Sequence, residues 1–444
     1  CRISNVWLQE STGTTPSGYA YGAEYSGEAA ILAKQHDDVT DESHGSHVGG
    51  IAGGSGFGMT GMSGVAPASE LIFVGRPGDA SSVLDAINYI FGKAQAAGKS
   101  AVVNMSFGGM TESAHDGMSL LDQGMGTSIG PGYILCASAA NAGESKNHMS
   151  YTFSGDTIQT LLSGFEEPDF GLFSGWGIAG NNIGFQFKVY NSSGSLLYST
   201  AFYNSSADGS FSETFTSGAD QIEFMLETEN TNPENGRPNI LGEYIMTVSN
   251  PMDYNIELVL TSSAEVHCWG EMKDFENSSY GGHISVVGNN SYTIAGAGAN
   301  ADATISVGAY TTKNSWTALG GGSGSEPMAI DDLSDYSSRG PTLDGRVKPD
   351  ISAPGSAIVS AVSRFDVGVP GDYAPLITND TYSDGTNTWH MGAFMGTSMS
   401  SPFTAGVVAL MLEADPAMTT ADCRNRLHNT ARQDSYTGSI PATG

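Results

Sequence analysis

The chain has 444 residues, a length that allows more than one core. Its 59 glycines and 14% charged residues fit a globular protein with many tight turns, not a disordered one. Asp plus Glu number 47 against 17 Lys plus Arg, and the resulting net charge of −30 repels polyanions, which excludes nucleic acid and anionic membrane as partners.

Taken in chain order, Leu71 to Val74 is a short apolar run that predicts a strand. Ser82 to Lys99 follows with apolar residues at Val83, Ile87, Ile90, Phe91 and Ala94, the period of a helix closed by Gly98. Ala101 to Met105 reads as a strand again, then comes a helix-like stretch, then the strand Tyr133 to Ala137. This alternation predicts a parallel sheet flanked by helices. It resumes with strands Thr304 to Ala309 and Ala357 to Ala361 and an apolar helix from Ser398 to Leu412.

Between about 150 and 265 the period becomes two: Phe185, Phe187, Val189; Ile222, Phe224, Leu226; Tyr244, Met246, Val248; Ile256, Leu258, Leu260. Such strands, separated by turns rich in Asn, Ser and Gly, predict an all-β module of sandwich or jelly-roll type. The expected organisation is an α/β domain over 1–143 and 286–444, with the β-module inserted at 144–285. The cysteines Cys1, Cys136, Cys268 and Cys423 have no metal-like spacing and read as buried or free thiols. No run approaches the roughly 18 apolar residues of a membrane span.

Three short segments carry the chemistry. Gly396-Thr397-Ser398-Met399-Ser400-Ser401-Pro402 puts a Ser in the first turn of an apolar helix, beside free N–H groups and the positive end of the dipole. Ser398 is therefore a candidate nucleophile, although a Ser at such a place also serves simply as an N-cap. Ser43-His44-Gly45-Ser46-His47-Val48-Gly49-Gly50 puts His44 at the start of a glycine-rich helix. Glycine is a poor helix former, so its density there predicts close approach of substrate and neighbouring helices. The other histidines read as surface or hydrogen-bonded core residues. Ala137-Ser138-Ala139-Ala140-Asn141-Ala142-Gly143 offers the Asn141 amide at the mouth of a strand, either as an oxyanion donor or as a turn residue before Gly.

These three segments, in this order, resemble the subtilisin-like serine peptidases. Val103-Asn104-Met105-Ser106-Phe107-Gly108-Gly109, Ser337-Ser338-Arg339-Gly340-Pro341 and Lys348-Pro349-Asp350-Ile351-Ser352-Ala353-Pro354-Gly355 extend the resemblance. A β-module between Asn141 and Ser398 resembles the bacterial branch that includes clostridial spore-germination proteases. The resemblance implies Ser398 as nucleophile, His44 as general base and Asn141 in the oxyanion hole. It also implies substrate binding by Ser106, Phe107, Gly108, Gly109 and Ala139, a protein or peptide substrate, secretion or a cell-surface location, and scope for a propeptide. Calcium is common among such proteins. Asp331, Asp332 and Asp335 could supply oxygen ligands, with a solvated acidic loop as the other reading.

The family's triad also needs an Asp on a strand upstream of the His, within an Asp-Thr/Ser-Gly motif, and the sequence contains none. Asp37, Asp38 and Asp41 are the Asp residues before His44 and sit in its own polar loop, while Asp350 falls in a segment to which the resemblance gives a structural role. The expectation is that the triad Asp lies outside this chain and that a segment is missing at each end. An active endopeptidase is the first reading. A pseudoprotease that binds or regulates is the second, and an esterase or acyltransferase on the same site is the third.

Overall fold

In the computed structural model, residues 2–34, 43–59, 61–75, 79–163, 169–363 and 377–436 are described. The expected Asp37, Asp38 and Asp41 loop lies outside them. The parallel part is built from strands β1 (Ile3–Leu8), β2 (Leu71–Gly75), β3 (Ala101–Met105), β4 (Tyr133–Ser138), β5 (Thr304–Tyr310) and β6 (Ile351–Pro354). They form two sheets. One joins β1 to β2 in parallel, with Ala23–Ser26 antiparallel on the outer side of β1. The other has the order β6-β5-β4-β3, all parallel.

Three helices position the site: α1 (His44–Gly53), α2 (Ala80–Ala96) and α3 (Thr397–Ala414). The α2 helix starts two residues before the expected Ser82 because the Asp79 carboxylate accepts the Ser82 N–H at 2.7 Å and caps it. It ends where Gly98 takes φ +65°, a left-handed turn that stops the helical ladder. Its Val83, Ile87 and Phe91 stripe packs on Val103 and Met105 of β3 and on Leu135 and Ala137 of β4. The opposite face of that sheet, with Ile134, Cys136, Ile305 and Val307, is covered by Ala405, Val408 and Leu412 of α3. Burying roughly this kind of side chain contributes about 1.5–3 kcal/mol each. Cys136, Cys268 and Cys423 are buried free thiols. The expected strand from Ala357 begins one residue later, at Ile358, because Ala357 has φ +49° and cannot lie in an extended ladder.

The strands from His148 to Ser285 build the β-module. Phe185, Phe187, Ile256 and Leu258 from one sheet meet Phe173, Ile222, Phe224 and Ile240 from the other in one core, a two-layer sandwich. Every residue of the period-two sets lies on a strand except Val248, which follows the end of Asn239–Thr247. No described helix is long and apolar enough to cross a membrane.

Candidate active site

Gly396 opens α3 with φ +139° and ψ 162°, a conformation that favours glycine. Gly396 is the N-cap, so Ser398 sits inside the first turn and is not the cap residue. A Cβ on Gly396 would stand 3.2 Å from the Asn141 amide nitrogen, which gives a second reason for glycine here. The Gly396 N–H is held by the Gly355 carbonyl (2.9 Å) and the Tyr336 hydroxyl (3.1 Å). Burial pushes the Tyr336 phenol up and keeps it neutral.

Pro402 lies inside α3 and has no N–H to give to the carbonyl four residues earlier, that of Ser398. The Ser106 hydroxyl takes that carbonyl instead, at 2.9 Å. Asn104 donates to Ser106 Oγ at 3.0 Å, and Ser401 donates to Asn104 Oδ1 at 2.6 Å. A closed polar chain thus ties the end of β3 to the first turns of α3. Sequence reasoning missed Asn104, Ser401 and Tyr336. Asn104, a lone amide in the apolar run Ala101 to Met105, was the available signal.

Asn141 is oriented by the same helix. Its Oδ1 accepts from the Thr397 N–H (2.9 Å) and the Thr397 hydroxyl (3.0 Å). With the oxygen end so assigned, the NH₂ end faces away from those donors, and the residue is exposed. The Ser398 N–H belongs to the first-turn donors that an α-helix leaves without an internal acceptor. The Asn141 carboxamide thus stands next to the first turn of α3, the end of the helix whose dipole favours negative charge.

His44 begins α1. A Cβ at Gly49 would strike the Phe73 ring (2.6 Å) and one at Gly53 would strike Leu71 (2.8 Å), so these two glycines are set by close approach to a strand, where substrate and neighbouring helices were expected. These contacts run α1 antiparallel to β2 and put His44 beyond its C-terminal end. The Ala52 carbonyl lies 2.9 Å from a Cβ built at Gly406, and Val48 and Ile51 share a cluster with Met399 and Phe403. The two helices pack against each other, with His44 and Ser398 each in the first turn of its own helix. The Ser398 hydroxyl donates to the Ser106 carbonyl at 3.3 Å. His47 is different: it is fully buried, its Nε2 faces the Ile358 and Gly392 carbonyls at 3.0 Å each, and burial lowers its pKa to about 4.

Along Ser106 to Gly109, the Phe107 carbonyl accepts from Ala297 N (2.7 Å) and Gly108 bridges Gly296. One edge of this segment is therefore paired, and the alternate carbonyls of Ser106 and Gly108 point the other way. Ala139 is fully buried, its N–H bonds Val307 and its carbonyl accepts from Ala295. Asp350 is a buried partner of Lys348 (2.6 Å) and Arg424 (2.8 Å) and takes no part in the site. Asp331 pairs with Arg432 and Asp332 accepts its neighbour's N–H. Among the described residues no group of three acidic, His or Cys side chains is placed to hold a metal ion.

The family model described as "Subtilase family" matches residues 3–162 and 273–442. The chain is 37% identical over 100 residues to the minor extracellular protease Vpr of Bacillus subtilis, covering 22% of this chain and 10% of Vpr. It is 34% identical over 142 residues to the serine protease AprX of the same species, covering 32% of this chain and 27% of AprX. The matched stretches thus span well under two thirds of either relative. The solved structure of the CspB protease of Clostridium perfringens is similar over 100% of this chain and 85% of that one, with a TM-score of 0.68 and 17% identity, a likeness of fold.

Proposed function

Because this chain belongs to the subtilase family, we propose that it is a serine endopeptidase that cleaves peptide bonds through an acyl-enzyme on Ser398. What supports this reading is the Asn141 carboxamide bonded to Thr397 next to Ser398, the bond from Ser106 to the Ser398 carbonyl, and the close approach of α1 to α3. An extended substrate adds as a strand to the open edge of Ser106 to Gly109. The Ser398 hydroxyl turns from the Ser106 carbonyl to the scissile carbon and its proton passes to His44. The oxyanion is held by Asn141 Nδ2 and the Ser398 N–H. His44 then gives the proton to the leaving amine, and water, activated by the same histidine, releases the acyl group.

In this reading the carboxylate that orients His44 comes from outside the chain. Without it, turnover is slow: in subtilisin itself, loss of that Asp alone costs about 3 × 10⁴ in kcat. The name of Vpr as an extracellular protease supports placing this protein outside the cell as well. The test is a fluorophosphonate probe with the labelled residue mapped by mass spectrometry. Label on Ser398 that disappears in His44→Ala is expected. Folded protein that takes no label would instead favour a binding or regulatory protein without chemistry.

A further inference from the structure

The β-module touches the end of the Ser106 to Gly109 segment through one strand, Glu265–Glu271. Glu271 accepts the Met110 N–H, and a Cβ built at Gly109 would stand 3.2 Å from its carboxylate. Trp269, two residues earlier, packs on Met110 and Ala295. Residues directly opposite each other in an antiparallel ladder put their side chains on one face. Across the sheet, the successive partners of Glu271 are Leu172, Glu243, Met225 and Ser212. A row of side chains that starts beside Gly109 therefore crosses the whole outer sheet of the module, over about 19 Å at the usual strand spacing.

This face is not the polar one that an antiparallel sheet ordinarily turns to water. Met225 and Ile245 are 40% and 37% exposed, and Leu172 and Leu241 are half-buried beside them. The sandwich core does not need these residues, because Phe173, Phe224, Leu226 and Tyr244 of the same strands fill it from the other face. The charged groups set among them are Glu223 opposite Ile245, Glu227 opposite Leu241, and Glu243 opposite Met225. All three carry one sign. The four Lys and Arg residues of the module are engaged elsewhere: Lys146 and Lys188 pair with Glu276 and Glu257, Arg237 pairs with Asp116, and Lys273 is buried.

We propose that this face is a second binding surface for a protein substrate. It takes the part of the substrate that leaves Ser106 to Gly109 on the side away from Ser398 and continues over the sheet, about six residues when extended. Apolar side chains of that part lie on Leu172, Leu241, Met225 and Ile245, and its Lys or Arg residues meet Glu223, Glu227 and Glu243. Charge of one sign speeds the encounter and sets the register, while the apolar contacts hold the complex. Continuity with the Gly109 end of the cleft assigns the face to substrate. A second copy of this chain, with its own net charge of −30, would be repelled. The identity of the occupant rests on the peptidase reading; the surface itself does not.

The experiment reads binding, so it needs no turnover. The 444-residue protein carrying Ser398→Ala, which prevents cleavage, is titrated into the fluorescein-labelled peptide Lys-Val-Lys-Leu-Lys-Ile-Gly-Ala-Ala-Leu-Ala-Ala-Gly-Ile-Lys-Leu-Lys-Val-Lys. Its two arms allow for either chain direction in the cleft. Adding Glu223→Gln, Glu227→Gln and Glu243→Gln together is expected to weaken binding about tenfold, the sum of three exposed ion pairs, and a peptide with Glu for every Lys is expected to lose as much or more. The difference should shrink at high salt. A benzoylphenylalanine in place of the arm Leu is expected to cross-link within 220–229 or 239–247. Equal binding by the triple variant, or cross-links confined to other segments, would overturn the surface. A dimer in sedimentation that the triple variant dissociates would overturn the substrate assignment in favour of a second copy. Fluorophosphonate labelling of the unaltered protein separates the two claims. Cross-links on the sheet without any label on Ser398 sink the peptidase reading and leave the surface. Label on Ser398 with arm binding indifferent to the three glutamates sinks the surface and leaves the reading.

Discussion

In the β-module, Glu257 is fully buried, yet the Tyr190 hydroxyl (3.2 Å), the Ser278 hydroxyl and Lys188 (4.0 Å) all face its oxygens. Gln159 nearby is used at both ends, giving to the Ser278 carbonyl and accepting from the His283 N–H. In the parallel half, Asn141 is held by one end alone, and Ser398 has its carbonyl fixed while its hydroxyl has a single acceptor at 3.3 Å. The buried polar groups of these two networks have partners, because an orphan costs about 1–3 kcal/mol. The difference lies in where the network stops. The module's network closes on itself and adds to stability, while the other network fixes groups whose remaining hydrogen-bonding capacity faces solvent. A reactive site is recognisable by that half-satisfied outer layer on a fully satisfied inner one.

The two regions are not independent, and the largest expected effect tests this. Trp269 of the module is fully buried, gives its indole N–H to the Tyr292 carbonyl (2.8 Å) and stacks on His115 at 4.3 Å. His115 in turn lies between the Met110 and Ile294 carbonyls, in the loop that follows Ser106 to Gly109. Glu271 of the same module strand accepts the Met110 N–H. Trp269→Ala is expected to cost about 3–5 kcal/mol in denaturant unfolding and to raise KM for an extended peptide more than it lowers kcat. An unchanged KM would mean that the module does not support the substrate edge.

Next in size is Asn141→Ala, which removes the outward donor and the Thr397 acceptor together. By analogy with the corresponding amide of subtilisin, kcat is expected to fall about 10²–10³-fold, equivalent to about 2.7–4 kcal/mol. Unfolding should move far less, since an exposed residue carries little burial. An effect on stability as large as that on kcat would make Asn141 a turn residue and nothing more.

Each region also carries a histidine held neutral by burial, and these allow the comparison to be followed with pH. Burial lowers His47 in α1 from 6.5 to about 4, and lowers His148 in the module, next to His267 at 3.0 Å, from 6.5 to about 3. In both cases the unfolded chain binds the proton first as pH falls. Stability is therefore whole above pH 6.5 and is lost between 6.5 and about 4 for His47, and between 6.5 and about 3 for His148, at up to about 1.4 kcal/mol per pH unit each. His47→Gln is expected to flatten the slope of the parallel half and His148→Gln that of the module, read by hydrogen exchange from 44–53 and 148–152. Equal flattening of both regions by either variant would show that they unfold as one unit.

Much of this architecture was legible from local patterns. Apolar runs located β2 to β5, the 83-87-91 stripe located α2, and the period-two sets located the sandwich. The glycine density after His44 correctly signalled close packing, here against Phe73 and Leu71. What was not legible depended on long-range pairing. Nothing near residue 71 or 101 says that the parallel strands divide into two sheets, because periodicity reports faces and not neighbours. The Ser401–Asn104 bond joins residues 297 positions apart, and the Tyr336 hydroxyl reaches Gly396 across 60. The N-cap reading of Ser398 failed for a local reason, the unusual backbone of Gly396, which shifts the helix start by two residues.

The smallest expected effect concerns what holds the two regions together. Lys146 and Glu276 form an ion pair of 2.8 Å at their junction, but both side chains are well exposed. Water and salt screen such a pair, and holding two long side chains in register costs entropy that offsets the attraction. The junction's buried contact is of another kind: Trp269 against Met110 and Ala295 excludes water, while the exposed Lys146 backbone N–H is separately fixed by the Asp274 carboxylate at 2.8 Å. Glu276→Gln removes the charge and keeps the shape and an amide oxygen. It is expected to leave the denaturant midpoint unchanged within error at low and high salt alike, whereas Trp269→Ala shifts it strongly under both. A salt-dependent loss in Glu276→Gln would mean that charge, not the buried indole, couples the module to the site.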